Sequence, residues 1–107
     1  MSDNWIKVAL VSDISADTNT VRVDCGSEAV CLYQVDGKVS ATQDRCPHGN
    51  ASLAEGYIED GMIECPLHQA LFDIATGEVK SPPCTTNLRT YPVKVEDGAV
   101  YIKEADS

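Results

Sequence analysis

The chain has 107 residues, enough for one domain with a core but not for two. Eight Lys plus Arg against 17 Asp plus Glu give a formal charge of −9, which argues against nucleic acid, anionic membranes and acidic substrates as partners. A hydrophobic content of 43% without low-complexity stretches excludes general disorder. No apolar run reaches the roughly 18 residues that a membrane span needs. Residues 1–8 lack the basic and apolar regions of a secretion signal, so a soluble, cytoplasmic protein is expected.

Short runs of β-branched and aromatic residues follow one another along the chain. They predict strands over residues 5–10, 20–24, 29–35, 38–43, 62–64 and 99–103. A seventh spans residues 88–95, where Pro92 implies an edge or a bend. Residues 13–17 have room for one helical turn and nothing longer. Asp36-Gly37, Asp60-Gly61 and Asp97-Gly98 sit between strand-like runs and predict tight hairpins, because both residues tolerate positive φ. Thr76-Gly77 predicts another turn. The fold class is all-β, with antiparallel sheets forming a small sandwich or partly open barrel.

The middle of the chain differs from its ends. Residues 44–84 hold both histidines and are rich in Pro and Gly, while residues 1–43 and 85–107 hold the regular strands. One domain over residues 1–107 is expected: a β scaffold built from both termini, with a loop-rich subdomain inserted at 44–84.

Five cysteines without an export signal make a poor disulfide framework. Both histidines lie near cysteines. Cys46-Pro47-His48 is followed after sixteen residues by Cys65-Pro66-Leu67-His68, a C-x-H-x16-C-x2-H pattern. Two soft thiolates and two imidazoles suit zinc or iron–sulfur. Structural zinc usually takes its cysteines as one close pair and its histidines as another, whereas here each loop carries one of each. That arrangement suits a two-iron cluster with both thiolates on one iron and both imidazoles on the other, the Rieske ligand set. Proline stiffens each loop just after its cysteine, and Gly49 lets the first loop turn.

At these residues the chain resembles the Rieske ferredoxins, above all the ferredoxin components of bacterial aromatic-ring-hydroxylating dioxygenases. The likeness runs through Cys46-Pro47-His48-Gly49, Glu64-Cys65-Pro66-Leu67-His68-Gln69, Phe72-Asp73-Ile74-Ala75-Thr76-Gly77, Ser81-Pro82-Pro83 and Thr90-Tyr91-Pro92-Val93. It implies one [2Fe-2S] cluster, with Cys46 and Cys65 on the inner iron and His48 and His68 on the outer one. It also implies that the loop around Pro82 and Pro83 forms a third wall. Rieske proteins of quinol-oxidising complexes add a disulfide between the two loops, and a serine and a tyrosine that donate to cluster sulfurs. The matching positions here are Ala51 and Leu67, and Ala70 and Phe72. Hydrogen bonds to sulfur favour the reduced, more negative cluster, so their loss implies a potential near the low end of the family, about −150 mV.

With both histidines committed, none is left for a mononuclear iron site that activates oxygen. No G-x-G-x-x-G follows a strand, so no nicotinamide or flavin fingerprint is present. The reading is a one-electron carrier rather than an enzyme. The resemblance implies a ferredoxin reductase as donor and a terminal oxygenase as acceptor, and a monomer is expected to meet them in turn. Residues 45–54 and 65–72 contain no carboxylate. Pro47, Gly49, Pro66, Leu67, Ala70, Pro82 and Pro83 are expected to form an apolar docking tip, with small and transient contacts. Cys25 and Cys31 read as small buried hydrophobes, and Cys84 as a space-filler near the cluster. Trp5, Tyr33, Tyr91 and Tyr101 read as core or cross-strand residues. Gln69 reads either as part of the docking face or as a plain exposed residue. Three other readings stay open: the small Rieske subunit of a nitrite reductase, an orphan or monooxygenase-linked ferredoxin, and a zinc-stabilised interaction module without a redox role.

Overall fold

The computed structural model describes residues 5–25, 28–47, 49–67, 69–81 and 86–103. Among the described residues ten strands run in the order β1 (Ile6–Leu10), β2 (Thr20–Cys25), β3 (Glu28–Val35), β4 (Lys38–Gln43), β5 (Tyr57–Glu59), β6 (Met62–Glu64), β7 (Leu71–Asp73), β8 (Thr90–Tyr91), β9 (Val93–Glu96) and β10 (Ala99–Ile102). They form three antiparallel sheets, ordered β1-β10-β9, β2-β3-β4-β8 and β5-β6-β7, and none closes into a barrel.

Each Asp-Gly pair is a hairpin turn. Asp36 and Gly37 join β3 to β4 with φ of 53° and 79°, and Asp60-Gly61 and Asp97-Gly98 have the same double positive φ. This is the turn whose twist matches that of the flanking strands. It sets the β3–β4 register, from Val35 opposite Lys38 to Val30 opposite Gln43. The turn at Thr76-Gly77 is also present. The Asp73 carboxylate accepts the amides of Ala75 and Thr76 at 2.9 and 3.0 Å, and Gly77 has φ of 77°.

Two expectations need correction. The helical turn is a 3₁₀ turn at Val11–Asp13 rather than over 13–17, closed by the Asp13 carboxylate accepting the Leu10 amide at 2.9 Å. The single strand over 88–95 is two strands, β8 and β9, which belong to different sheets. Pro92 lacks the amide proton a continuous ladder would use, and the chain changes sheet there. Strands β5 and β7, three residues each, have too little alternation to read from the sequence.

Strand β3 organises the interior through the two-residue period of a strand. Val30 and Leu32 join a core with Ala9, Ile14, Cys25, Ala41, Tyr91, Val100 and Ile102. Cys31 and Tyr33 join a second core with Cys46, Leu53, Ile63, Cys65, Ala70, Phe72 and others. The four-stranded sheet therefore lies between the β1-β10-β9 sheet and the segment that carries both cysteine–histidine loops. Cys25 and Cys31 are buried on strands, as expected. Burial pushes the Cys31 thiol well above its ordinary value, so it stays protonated. Tyr33 and Tyr91 are core residues. Tyr101 and Trp5 pack with lysines at the sheet surface, where the Lys94 ammonium lies 5.0 Å from the Trp5 ring and 5.5 Å from the Tyr101 ring.

Candidate metal centre

The two cysteine–histidine loops are built alike. Each begins Cys-Pro and ends in Ala five residues after its cysteine. The Cys46 amide donates to the Ala51 carbonyl at 3.0 Å, and the Cys65 amide donates to the Ala70 carbonyl at 2.8 Å. Outside these bonds, Arg45 bridges Ser52 and Glu64 pairs with Leu71. An inner bond tightens each loop: the Gly49 amide to the Cys46 carbonyl at 3.2 Å, and the Gln69 amide to the Cys65 carbonyl at 3.0 Å. The second turn spans one residue more than the first. Gln69 takes a positive φ of 56° to complete it, and it is exposed.

Both thiols are enclosed. Cys46 is 1% exposed and Cys65 is fully buried, and they share one apolar core with Ala51, Leu53, Ala70 and Phe72. None of the four described cysteines is in a disulfide. A bare thiolate in such a core is costly, and a metal bound to both sulfurs compensates it. The donor set therefore fits an iron–sulfur group. His48, His68, Pro82, Pro83 and Cys84 lie outside the described residues.

The rest of the fold clamps these loops together. The Thr20 hydroxyl donates to the Ala54 carbonyl at 2.8 Å and ties the first loop's exit to β2. A Cβ at Gly56 would run into the Glu64 carbonyl oxygen, so glycine permits the close approach of the first loop's exit to the strand leading into Cys65. The Ser81 hydroxyl accepts the Leu71 amide at 2.9 Å, and the Lys80 amide donates to the Leu71 carbonyl at 2.7 Å. The chain entering the proline loop is thereby fastened beside the second loop. The Asp44 carboxylate accepts the Ser52 hydroxyl at 2.9 Å and the Ala54 amide at 3.0 Å. Nothing in the sequence pointed to the bracing roles of Thr20, Asp44 and Ser81, since their partners lie 8 to 34 residues away. The only sequence trace is a small polar residue at a strand or loop end.

At the outer end of the second loop Pro66 and Leu67 are exposed, Leu67 by 57%. Pro47 and Gly49 are half-buried. Ala70 does not belong to this surface. It is fully buried, because its carbonyl closes the base of the loop and the residue lies in the core with Phe72. Ala70 and Phe72 offer no hydroxyl in the core they share with the two cysteines.

An antiparallel β scaffold holding two matched Cys-Pro loops, with both sulfurs in one core, has the donor arrangement of an iron–sulfur protein. The chain matches the Rieske [2Fe-2S] domain over residues 4–92 and belongs to that family. It is 41% identical over 103 residues to the ferredoxin component of the naphthalene 1,2-dioxygenase/salicylate 5-hydroxylase systems of a Ralstonia species, covering 96% of this chain and 98% of that protein. The solved ferredoxin of Sphingomonas yanoikuyae B1 superposes with a TM-score of 0.86 at 42% identity, covering 94% of this chain and 99% of the other. A chain from a complex of reduced oxygenase and oxidized ferredoxin in carbazole 1,9a-dioxygenase also gives 0.86, at 38% identity and 99% coverage of both chains. No helix among the described residues is long and apolar enough to cross a membrane.

Proposed function

We propose that this chain is a soluble, cytoplasmic one-electron carrier. It takes electrons from an NAD(P)H-dependent reductase and delivers them to the terminal oxygenase of a multicomponent aromatic-ring dioxygenase. It has no substrate site of its own and acts as a component rather than as an enzyme. The observation that carries the reading is the pair of buried sulfurs at equivalent positions of two matched loops, in a chain that aligns nearly end to end with stand-alone ferredoxin components. Cys46 and Cys65 hold the inner iron, and His48 and His68 the outer one. The [2Fe-2S] cluster supplies reversible one-electron chemistry when bound. This chain's own part is to keep both thiolates dry, to hold the loops in register, and to present the outer face.

The same reading makes residues 1–107 one domain, with a scaffold from 1–43 and 85–107 and a cluster-binding subdomain at 44–84. The sheet β5-β6-β7 lies wholly within that middle segment, while the other two sheets draw on residues on either side of it. A monomer suits a carrier that must meet two partners in turn, through contacts under about 1,200 Å² in total. The exposed Pro66 and Leu67, in a loop free of carboxylates, favour docking at this end.

The test is anaerobic purification followed by iron and sulfide analysis and electron paramagnetic resonance of the reduced protein. Two irons and two sulfides per chain with a Rieske spectrum are expected, and they are lost in His48→Ala and in His68→Ala. A full Rieske spectrum in either variant refutes the ligand assignment. Zinc in place of iron refutes the carrier.

A further inference from the structure

Asp44 is the one carboxylate among the described residues that is buried, with 3% of its surface exposed. It sits two residues before Cys46, and every polar group it carries is engaged. Its amide donates to the Ala29 carbonyl at 3.0 Å, and its carbonyl accepts the Leu53 amide at 2.7 Å. Its Oδ1 accepts the Ser52 hydroxyl and the Ala54 amide. The other carboxylate oxygen lies 3.7 Å from Nε of Arg22, whose side chain is 59% exposed. Asp44 thus joins β3, the entry to the first cysteine–histidine loop, and its exit.

Burying a carboxylate is expensive unless it is compensated. The two donors on Oδ1 do not by themselves call for a charge, because the carbonyl of an asparagine accepts the same pair. The charge therefore has a consequence separate from the brace. One-electron reduction leaves a [2Fe-2S] centre one unit more negative. A fixed carboxylate enclosed near the ligand loop opposes that change, and the Arg22 guanidinium on its solvent side partly offsets the opposition.

We propose that Asp44 positions the first ligand loop through its Oδ1 bonds, and that its negative charge holds the midpoint potential of the centre low, with Arg22 as the moderating counter-charge. The inference rests on the assignment of Cys46 as a cluster ligand. It adds a charge effect to the missing hydroxyls at positions 70 and 72.

The experiment uses cluster-loaded wild-type protein and the variants Asp44→Asn, Asp44→Ala and Arg22→Gln. Each is read by iron content, by the spectrum of the reduced form and by redox titration. Asp44→Asn keeps its iron and spectrum while its midpoint moves to more positive values. Arg22→Gln moves it to more negative values. The expected scale is a threefold to tenfold change in the reduction equilibrium, a tenfold change being about 59 mV for a one-electron couple. Asp44→Ala, which removes the acceptor, loses iron relative to Asp44→Asn. Unchanged or oppositely shifted midpoints overturn the charge role, and Arg22→Gln alone decides it if Asp44→Asn fails to hold iron. Full iron in Asp44→Ala overturns the brace. Absence of the centre from the wild-type protein overturns the ligand assignment, and this proposal with it.

Discussion

Leu67 gives the docking idea a quantity. Leu67 is 57% exposed at the outer end of the second cysteine–histidine loop. Fully burying a leucine contributes about 1.5–3 kcal/mol. Covering the exposed 57% against a partner is therefore worth about 0.9–1.7 kcal/mol. That is about a 4- to 16-fold change in affinity. Leu67→Ala should raise the ferredoxin concentration needed for half-maximal oxygenase turnover by up to this factor. Leu67→Asp should do far more, about 100-fold or beyond, because a carboxylate must be desolvated at an apolar contact. Neither change should alter stability by more than about 0.5 kcal/mol, since the residue is more than half exposed. The assay is steady-state turnover with reductase and oxygenase at varied ferredoxin concentration, with iron content and reduced spectrum as controls. Normal turnover in fully loaded Leu67→Asp would refute docking at this loop.

Three further outcomes follow from the interior and the surface. Phe72→Tyr brings a hydroxyl into the core shared by Cys46 and Cys65, and should raise the midpoint toward the upper part of the family range of about −150 to +300 mV; a redox titration showing no rise would contradict the missing-hydroxyl argument. Thr20→Val strips the Ala54 carbonyl of its donor and should cost about 1–3 kcal/mol in chemical denaturation, whereas an unchanged midpoint would mean that the tie between scaffold and loop is dispensable. The Tyr91 hydroxyl and then the Arg89 guanidinium hold the Glu28 carboxyl below its usual 4.5. A depressed carboxyl stabilises the fold above its unfolded pKa, and that contribution is lost as pH falls through the folded value. The side chain is 49% exposed, so the effect is small, under about 1 kcal/mol. Glu28→Gln should narrow the difference in urea midpoint between pH 7 and pH 3, and an identical pH dependence in the variant would refute the coupling.

The local features were legible because their causes are local. The three Asp-Gly hairpins follow from two residues that tolerate positive φ, and strands β4 and β6 begin and end where alternation begins and ends. The two Cys-Pro loops were legible for the same reason, since each carries its cysteine and histidine within a few residues. The family likeness rests on those motifs.

What the sequence alone determined is therefore the all-β class, the turns, and two short Cys-Pro loops that each pair a cysteine with a histidine. Only the tertiary structure decided how the loops are held. Thr20 to Ala54, Ser81 to Leu71 and Asp44 to Ser52 are bonds between segments 34, 10 and 8 residues apart, and no periodicity encodes such distances. It also decided that Ala70 belongs to the core rather than to the tip, and that Pro92 carries the chain from one sheet to another. A side chain's neighbours across sheets depend on which faces meet. Strand β3, with Val30 and Leu32 turned to one core and Cys31 and Tyr33 to the other, settles that meeting only once the chain has folded.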